Sequence, residues 1–288
     1  MDGDEIGVTA PEFSALVLAG SFIAGGLGAL TGLGGGVVII PLLTLVFHVD
    51  LRYAIGASLI SVIATSSGSA AAYVRDGYSN VRIGLFLEMA TSLGAILGAA
   101  IAMLVPTHGL AILFGVVLLY SAFAAKPHDH IVMEKSGGAK SLATRFKLNG
   151  AFPSQTGQGW THYSVVRVPL GFAIMLIAGI LSGLLGIGSG AVKVLAMDQA
   201  MRIPFKVSTT TSNFMIGVTA AASAGIYLKR GYVDPGLAMP VMLGVLAGSL
   251  VGARMLMAAS VSRLRLIFRT VILVLALEMI YNGATGRI

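Results

Sequence analysis

Cysteine is absent from the 288 residues, and charged residues make up only 11% of them. The first absence excludes a disulfide framework, Cys-ligated zinc, iron–sulfur clusters and thiol catalysis. The second excludes an ordinary soluble domain, which carries about 25% charged residues to cover its surface. In place of charge the chain has 56% hydrophobic residues, 38 Gly and a mean hydropathy of +0.89. Such a surface faces lipid, so the expected architecture is an all-α polytopic membrane protein. The net charge of +7 is then read as anchoring loops on the cytoplasmic side, with no nucleic-acid partner.

Ten apolar segments follow one another, five on each side of a polar stretch at 126–167. In each set the third and fourth are long enough to cross about 30 Å of hydrocarbon, whereas the second is too short. That second segment begins directly after a glycine cluster, Gly32-Leu-Gly34-Gly35-Gly36 in the first set and Gly186-Ile-Gly188-Ser189-Gly190 in the second. A continuous helix is poorly supported there. Segments one and two of each set are therefore expected to form broken or re-entrant pairs.

Shifting the sequence by 154 positions aligns the halves without a gap, with 19 identities between Ala24 and Met103. Among the matches are Gly94 and Gly98 with Gly248 and Gly252, and Tyr73, Gly77 and Tyr78 with Tyr227, Gly231 and Tyr232. This marks a duplication. With an odd number of crossings per copy the second copy is inverted, an arrangement of secondary transporters that bind substrate where broken helices meet. The expected organisation is an extracytoplasmic tail at 1–12, a first repeat at 13–125, a cytoplasmic loop at 126–167 and a second repeat at 168–288. The acidic tail lacks the basic n-region and cleavage site of a signal peptide and is placed outside. Fourteen Lys and Arg then fall on the cytoplasmic side against four outside, as the positive-inside rule requires.

The remaining basic residue, Lys193, lies within an apolar segment three residues past the second glycine cluster. A lysine at membrane depth costs about 2.5–3.5 kcal/mol or more, so it is a functional-site candidate; snorkelling, or a pair with Glu88, Glu278 or Asp198, would be the structural reading. Helices that restart after a break direct free N–H groups at the gap, which suits an anion, so Gly34, Gly35, Gly36, Gly188, Ser189 and Gly190 are assigned to substrate binding. Gly94, Gly98, Gly248 and Gly252 are assigned to close helix packing instead. Ser58 and Ser212 match under the shift and lie in hydroxyl-rich segments, with Ser61, Thr65, Thr209 and Asn213 on the same helical faces. Ser58, Ser212 and Asn213 are assigned as side-chain donors to an oxyanion, against the alternative of bonds between helices or back to their own backbone. Glu88 and Glu278 lie in apolar segments and are assigned to proton coupling.

No cofactor or metal is implied. His128 and His130 lack further close ligands, neither glycine cluster spells a nucleotide motif, and H-E-x-x-H is absent, so an enzyme is not expected.

The run Gly32-Leu-Gly34-Gly35-Gly36-x-x-x-x-Pro41, its counterpart Gly186-Ile-Gly188-Ser189-Gly190-Ala-Val-Lys193-Val and Thr211-Ser-Asn213-Phe-Met-Ile-Gly217-Val-Thr219 resemble the sulfite exporter TauE/SafE family of prokaryotic membrane transporters. The resemblance implies export of small sulfur-containing anions, sulfite or sulfonates, across the cytoplasmic membrane, and allows a homodimer. Two departures bear on the second break: Ser189 replaces a glycine common in the family, and Leu195 stands where the first copy has Pro41. A passive anion channel, or a carrier of another small anion, is the alternative.

Overall fold

The computed structural model describes residues 9–31, 35–75, 79–124, 142–153, 159–258 and 261–288. In chain order they form α1 (Ala10–Thr31), α2 (Gly36–Pro41) running into a π-helical turn (Leu42–Val46), α3 (Leu51–Arg75), α4 (Val81–Ala102) and α5 (Thr107–Ala124). A short helix α6 (Leu142–Arg145) and an antiparallel pair, β1 (Gly150–Pro153) with β2 (Trp160–Tyr163), lie within the central stretch. Then come α7 (Val168–Leu185), α8 (Gly190–Leu195) with its own π turn (Ala196–Ala200), α9 (Phe205–Lys229), α10 (Pro235–Ala258) and α11 (Val261–Ala284). The all-α polytopic reading holds. Among the described residues two helices, Val81–Ala102 and Val168–Leu185, are long and apolar enough to cross a membrane by themselves.

The 154-residue shift carries α2 onto α8, each π turn onto the other, and α3 onto α9 with no offset at either end. Packing follows the same exchange. The extensive α1–α10 contact has its counterpart in α4–α7, and α3–α10 in α4–α9, while α3 packs on α9 and α5 on α11. Each broken pair folds back to the end of the bundle where it began. The Val166 N–H, ahead of α7, donates to the Met201 carbonyl after the second π turn at 3.2 Å. In the first copy the Phe13 and Phe47 rings meet edge-on at 5.9 Å.

At the end opposite the β hairpin, Arg52 donates to the Val105 carbonyl at 3.0 Å and lies over the Tyr232 ring, joining the starts of α3, α5 and α10. The hairpin end is tied by Asn80, which caps α4 through its Oδ1 and donates to the Tyr163 hydroxyl at 2.7 Å.

Close packing without a water-driven hydrophobic effect needs small residues. On α4, Gly94 and Gly98 face Gly179 and Gly183 of α7. A Cβ on any of the four would collide with a backbone carbonyl of the facing helix: Leu176 for Gly94, Ile180 for Gly98, Thr91 for Gly179 and Ala95 for Gly183. Gly248 and Gly25 do the same between α10 and α1. The outer face of α4 carries exposed Leu85, Met89, Leu93, Ile96 and Leu97, a continuous apolar stripe suited to lipid.

Candidate functional site

The two glycine breaks meet. A Cβ on Gly36 would lie 2.6 Å from Ser58 Oγ and 3.3 Å from the Gly186 carbonyl oxygen, so the first break rests against the second. Ser58, fully buried on α3, donates to that carbonyl at 3.0 Å. Ser212, its counterpart on α9, donates to the Gly190 carbonyl at 3.3 Å. Gly35, Gly36, Gly188, Ser189 and Gly190 are all buried around this point; Gly34 lies outside the described residues, as do His128 and His130.

The breaks do not share one backbone conformation. Gly35 caps α2 in the right-handed region at φ −62°, whereas its counterpart Ser189 caps α8 at φ +45°, after Gly186 at +68° and Gly188 at +70°. Among the described residues the left-handed conformations thus fall in the second break, which holds a serine where the backbone favours glycine. A left-handed non-glycine residue costs about 1–2 kcal/mol. The Ser189 Oγ, moreover, is buried and has no hydrogen-bond partner among the described residues. Ser189→Gly is expected to raise stability by about 1 kcal/mol, since it removes the Cβ strain and a buried unpaired hydroxyl at some cost in chain entropy. A thermal melt of the purified variant checks this.

Lys193, one turn into α8, is fully buried, which rules out snorkelling. Its Nζ donates to Thr219 Oγ1 on α9 at 2.5 Å. The Thr219 hydroxyl in turn lies 2.6 Å from Glu88 Oε1 on α4, to which it donates, and Ser92 donates to the same oxygen at 2.8 Å. Ammonium and carboxylate are thus joined through one hydroxyl in the interior, where burying either charge alone would be strongly unfavourable. Glu88 Oε2 is buried without a partner among the described residues, as is the hydroxyl of Ser182 on α7. An unpaired carboxylate oxygen within a buried charged network is rare in protein interiors and calls for an explanation.

Other sequence candidates divide. Ser61 and Thr65 donate to the carbonyls of Ser58 and Ser61 on their own helix, and Thr209 to that of Phe205. Asn213 is half-buried, and its carbonyl accepts from Ser66 of α3 at 2.7 Å, with Ser66 Oγ also accepting the Gly217 N–H at 2.9 Å. Glu278 lies on the exposed face of α11, away from Lys193, and its carbonyl accepts from Asn282. Thr219 was the residue that sequence reasoning passed over; its match to Thr65 under the 154 shift was the available signal. Among the described residues no group of three or more His, Asp or Glu is placed to hold a metal ion.

The sequence model of the family described as "Sulfite exporter TauE/SafE" matches residues 17–279. The chain belongs to the sulfite exporter TauE/SafE family. The resemblance seen in the glycine and S-N-F-M-I-G motifs is borne out over nearly the whole sequence. TauE/SafE relatives include the probable membrane transporter protein YunE of Bacillus subtilis, 29% identical over 279 residues that cover 94% of this chain and 98% of that one. A second Bacillus subtilis protein, the probable membrane transporter YdhB, is 29% identical, with 83% of this chain and 89% of its own covered. MJ0441 of Methanocaldococcus jannaschii, also named a probable membrane transporter, is 26% identical over 280 residues, covering 92% and 94% of the two chains. No solved structure gives a significant match. A TauE/SafE protein is a membrane protein, and α4 and α7 are long and apolar enough to cross the bilayer.

Proposed function

We propose that this TauE/SafE protein is a secondary transporter that exports a small sulfur-containing anion, sulfite or an organosulfonate, across the cytoplasmic membrane by alternating access. The observation that carries the reading is the fully buried Lys193 at a left-handed helix break, held through Thr219 to Glu88. In this reading the anion takes the place of Glu88 as the partner of Lys193. Ser189 Oγ and the N–H groups of Gly35, Gly36, Gly188 and Gly190 complete its shell, with Ser58, Ser212 and Asn213 shaping the walls. Glu88, released from the network, becomes the group that carries a coupling proton.

The copies are taken as inverted. Each contributes a pair that folds back and three helices that cross, so the second enters from the opposite end to the first. The exchange of packing partners supports this, with α1–α10 answering α4–α7. The N-terminus is placed outside and the hairpin end, with residues 126–167, in the cytoplasm, in accord with the fourteen-to-four distribution of basic residues.

The test is thermal stabilisation of the detergent-purified protein by sulfite, sulfate, thiosulfate, sulfoacetate, taurine, phosphate and chloride. A ligand bound only by the folded state raises stability, by about 2.7 kcal/mol at 100 times its Kd. A selective shift with one sulfur anion is expected, together with saturable uptake of that anion into proteoliposomes. No shift with any sulfur anion at millimolar concentration overturns the substrate class, and flux that does not saturate overturns the carrier mechanism.

A further inference from the structure

A polar cavity of about 280 Å³ opens at the hairpin end, between the start of α4 and the α6–hairpin segment. Its wall includes Ser79, Arg82, Lys147, Asn149 and Tyr163, and among the described residues neither Asp nor Glu lines it. Two cationic side chains thus share one wall with no carboxylate among the described residues, and the Arg82 side chain is held to the Lys147 backbone, since its Nη1 donates to the Lys147 carbonyl at 3.4 Å. Like charges so placed repel one another unless an anion lies between them.

The other lining groups are donors. Ser79 Oγ is buried with no partner among the described residues. Asn149 uses its Oδ1 on the Val165 N–H at 2.9 Å, which leaves its NH2 as the group it can offer. Tyr163 accepts from Asn80 and keeps its own proton to donate. Burial pushes its pKa up to about 12, with the Asn80 bond acting in the opposite direction, so the phenol stays protonated throughout the physiological range.

The cavity also communicates with the interior. Asn80, held between Tyr163 and the Leu148 carbonyl, donates its backbone N–H to Thr211 Oγ1 on α9 at 3.0 Å. Thr211 lies eight residues before Thr219 on that helix, about 12 Å along its axis. A ligand drawing in Arg82 and Lys147 therefore acts on the helix that holds the Lys193 network.

We propose that this cavity is a second anion site, an antechamber that takes a small tetrahedral or pyramidal oxyanion at the hairpin end before it reaches the Lys193 break. It rests on the transport reading for its purpose, and on its own residues for binding. Free substrate and the phosphate of an anionic lipid headgroup present the same chemistry, and the experiment separates them.

Sulfite binding to the full-length protein is measured by calorimetry in nanodiscs of phosphatidylcholine alone and of phosphatidylcholine with phosphatidylglycerol. Wild type is compared with Arg82→Gln/Lys147→Gln, with Lys147→Gln alone and with Lys193→Met, each first checked for monodisperse elution and a cooperative melt above the assay temperature. In phosphatidylcholine, wild type is expected to bind two sulfite ions; the double variant keeps only the Lys193-dependent one, and Lys147→Gln weakens the outer site about tenfold. Uptake from the hairpin side is expected to show a KM raised about tenfold in the double variant with kcat unchanged. Loss of the outer sulfite site in wild type once phosphatidylglycerol is present names the headgroup phosphate as its occupant. Equal stoichiometry and KM in wild type and double variant, in both lipids, overturn the antechamber. Should Lys193→Met leave binding untouched while the double variant loses it, the inner-site reading fails and the outer site stands.

Discussion

Lys193→Met is expected to weaken anion transport by roughly 10- to 150-fold in KM, the equivalent of about 1.5–3 kcal/mol for a hydrogen bond to a charged group. The same change leaves Glu88 without the cation that balances it, in an interior where removing one partner of a buried pair costs about 3–5 kcal/mol. Loss of transport alone would therefore confuse a binding role with a folding role. Lys193→Met/Glu88→Gln separates them. With both charges removed the stability loss should largely disappear, because the two residues act as one coupled unit. Transport should remain at the level of the single variant. A double variant that recovers both stability and transport would show that the network is structural only. In the complementary variant Glu88→Gln, which retains a side chain able to accept from Thr219 and Ser92, the anion should still bind while a pH gradient no longer drives its accumulation. Unchanged pH-driven accumulation in that variant would remove Glu88 from the coupling step.

The second large effect is one of packing. Gly98→Leu should give no folded protein, and Gly98→Ala should lose about 1–3 kcal/mol, because the new Cβ meets the Ile180 carbonyl and nothing there can swing aside. The same Gly-to-Ala change at Gly225 of α9 has nothing within 4 Å. There it should be neutral or raise stability by about 0.5–1 kcal/mol, as alanine does in an unobstructed helix. Thermal melts of the three variants in one detergent suffice. Equal effects at positions 98 and 225 would mean that the α4–α7 contact does not hold the bundle together.

The contrast between these glycines shows what the sequence could and could not disclose. Gly94 and Gly98 were legible as a packing stripe because their four-residue spacing recurs at Gly248 and Gly252 in the second copy. The glycine breaks and the shortness of the segments that follow them were legible for the same reason, since the copies report on each other, whereas the folding back of those segments was one of two readings left open. Which acidic residue faces inward was not. α4 carries leucines and methionine on its lipid face and glycine, threonine and glutamate inside, so no polar stripe separates Glu88 from Glu278 by periodicity. Lys193 was visible as an expensive residue, yet its partner is reached through Thr219, a residue as ordinary as the other hydroxyls on α9. The 126–167 stretch reads as polar loop, and the two-stranded pairing of Gly150–Pro153 with Trp160–Tyr163 inside it lacks the alternation that would have announced it.

The paired π turns have a consequence for motion. Leu42–Val46 and Ala196–Ala200 close five-residue hydrogen bonds, so each contains one residue more than an α-helical turn would need. Converting such a turn to α-helical bonding winds the segment before it by one residue, about 100° about its axis, without unfolding either side. In the second copy that segment is α8, which carries Lys193. Such a conversion would turn the one charged side chain of a helix too short to span the bilayer about that helix's own axis, away from Thr219.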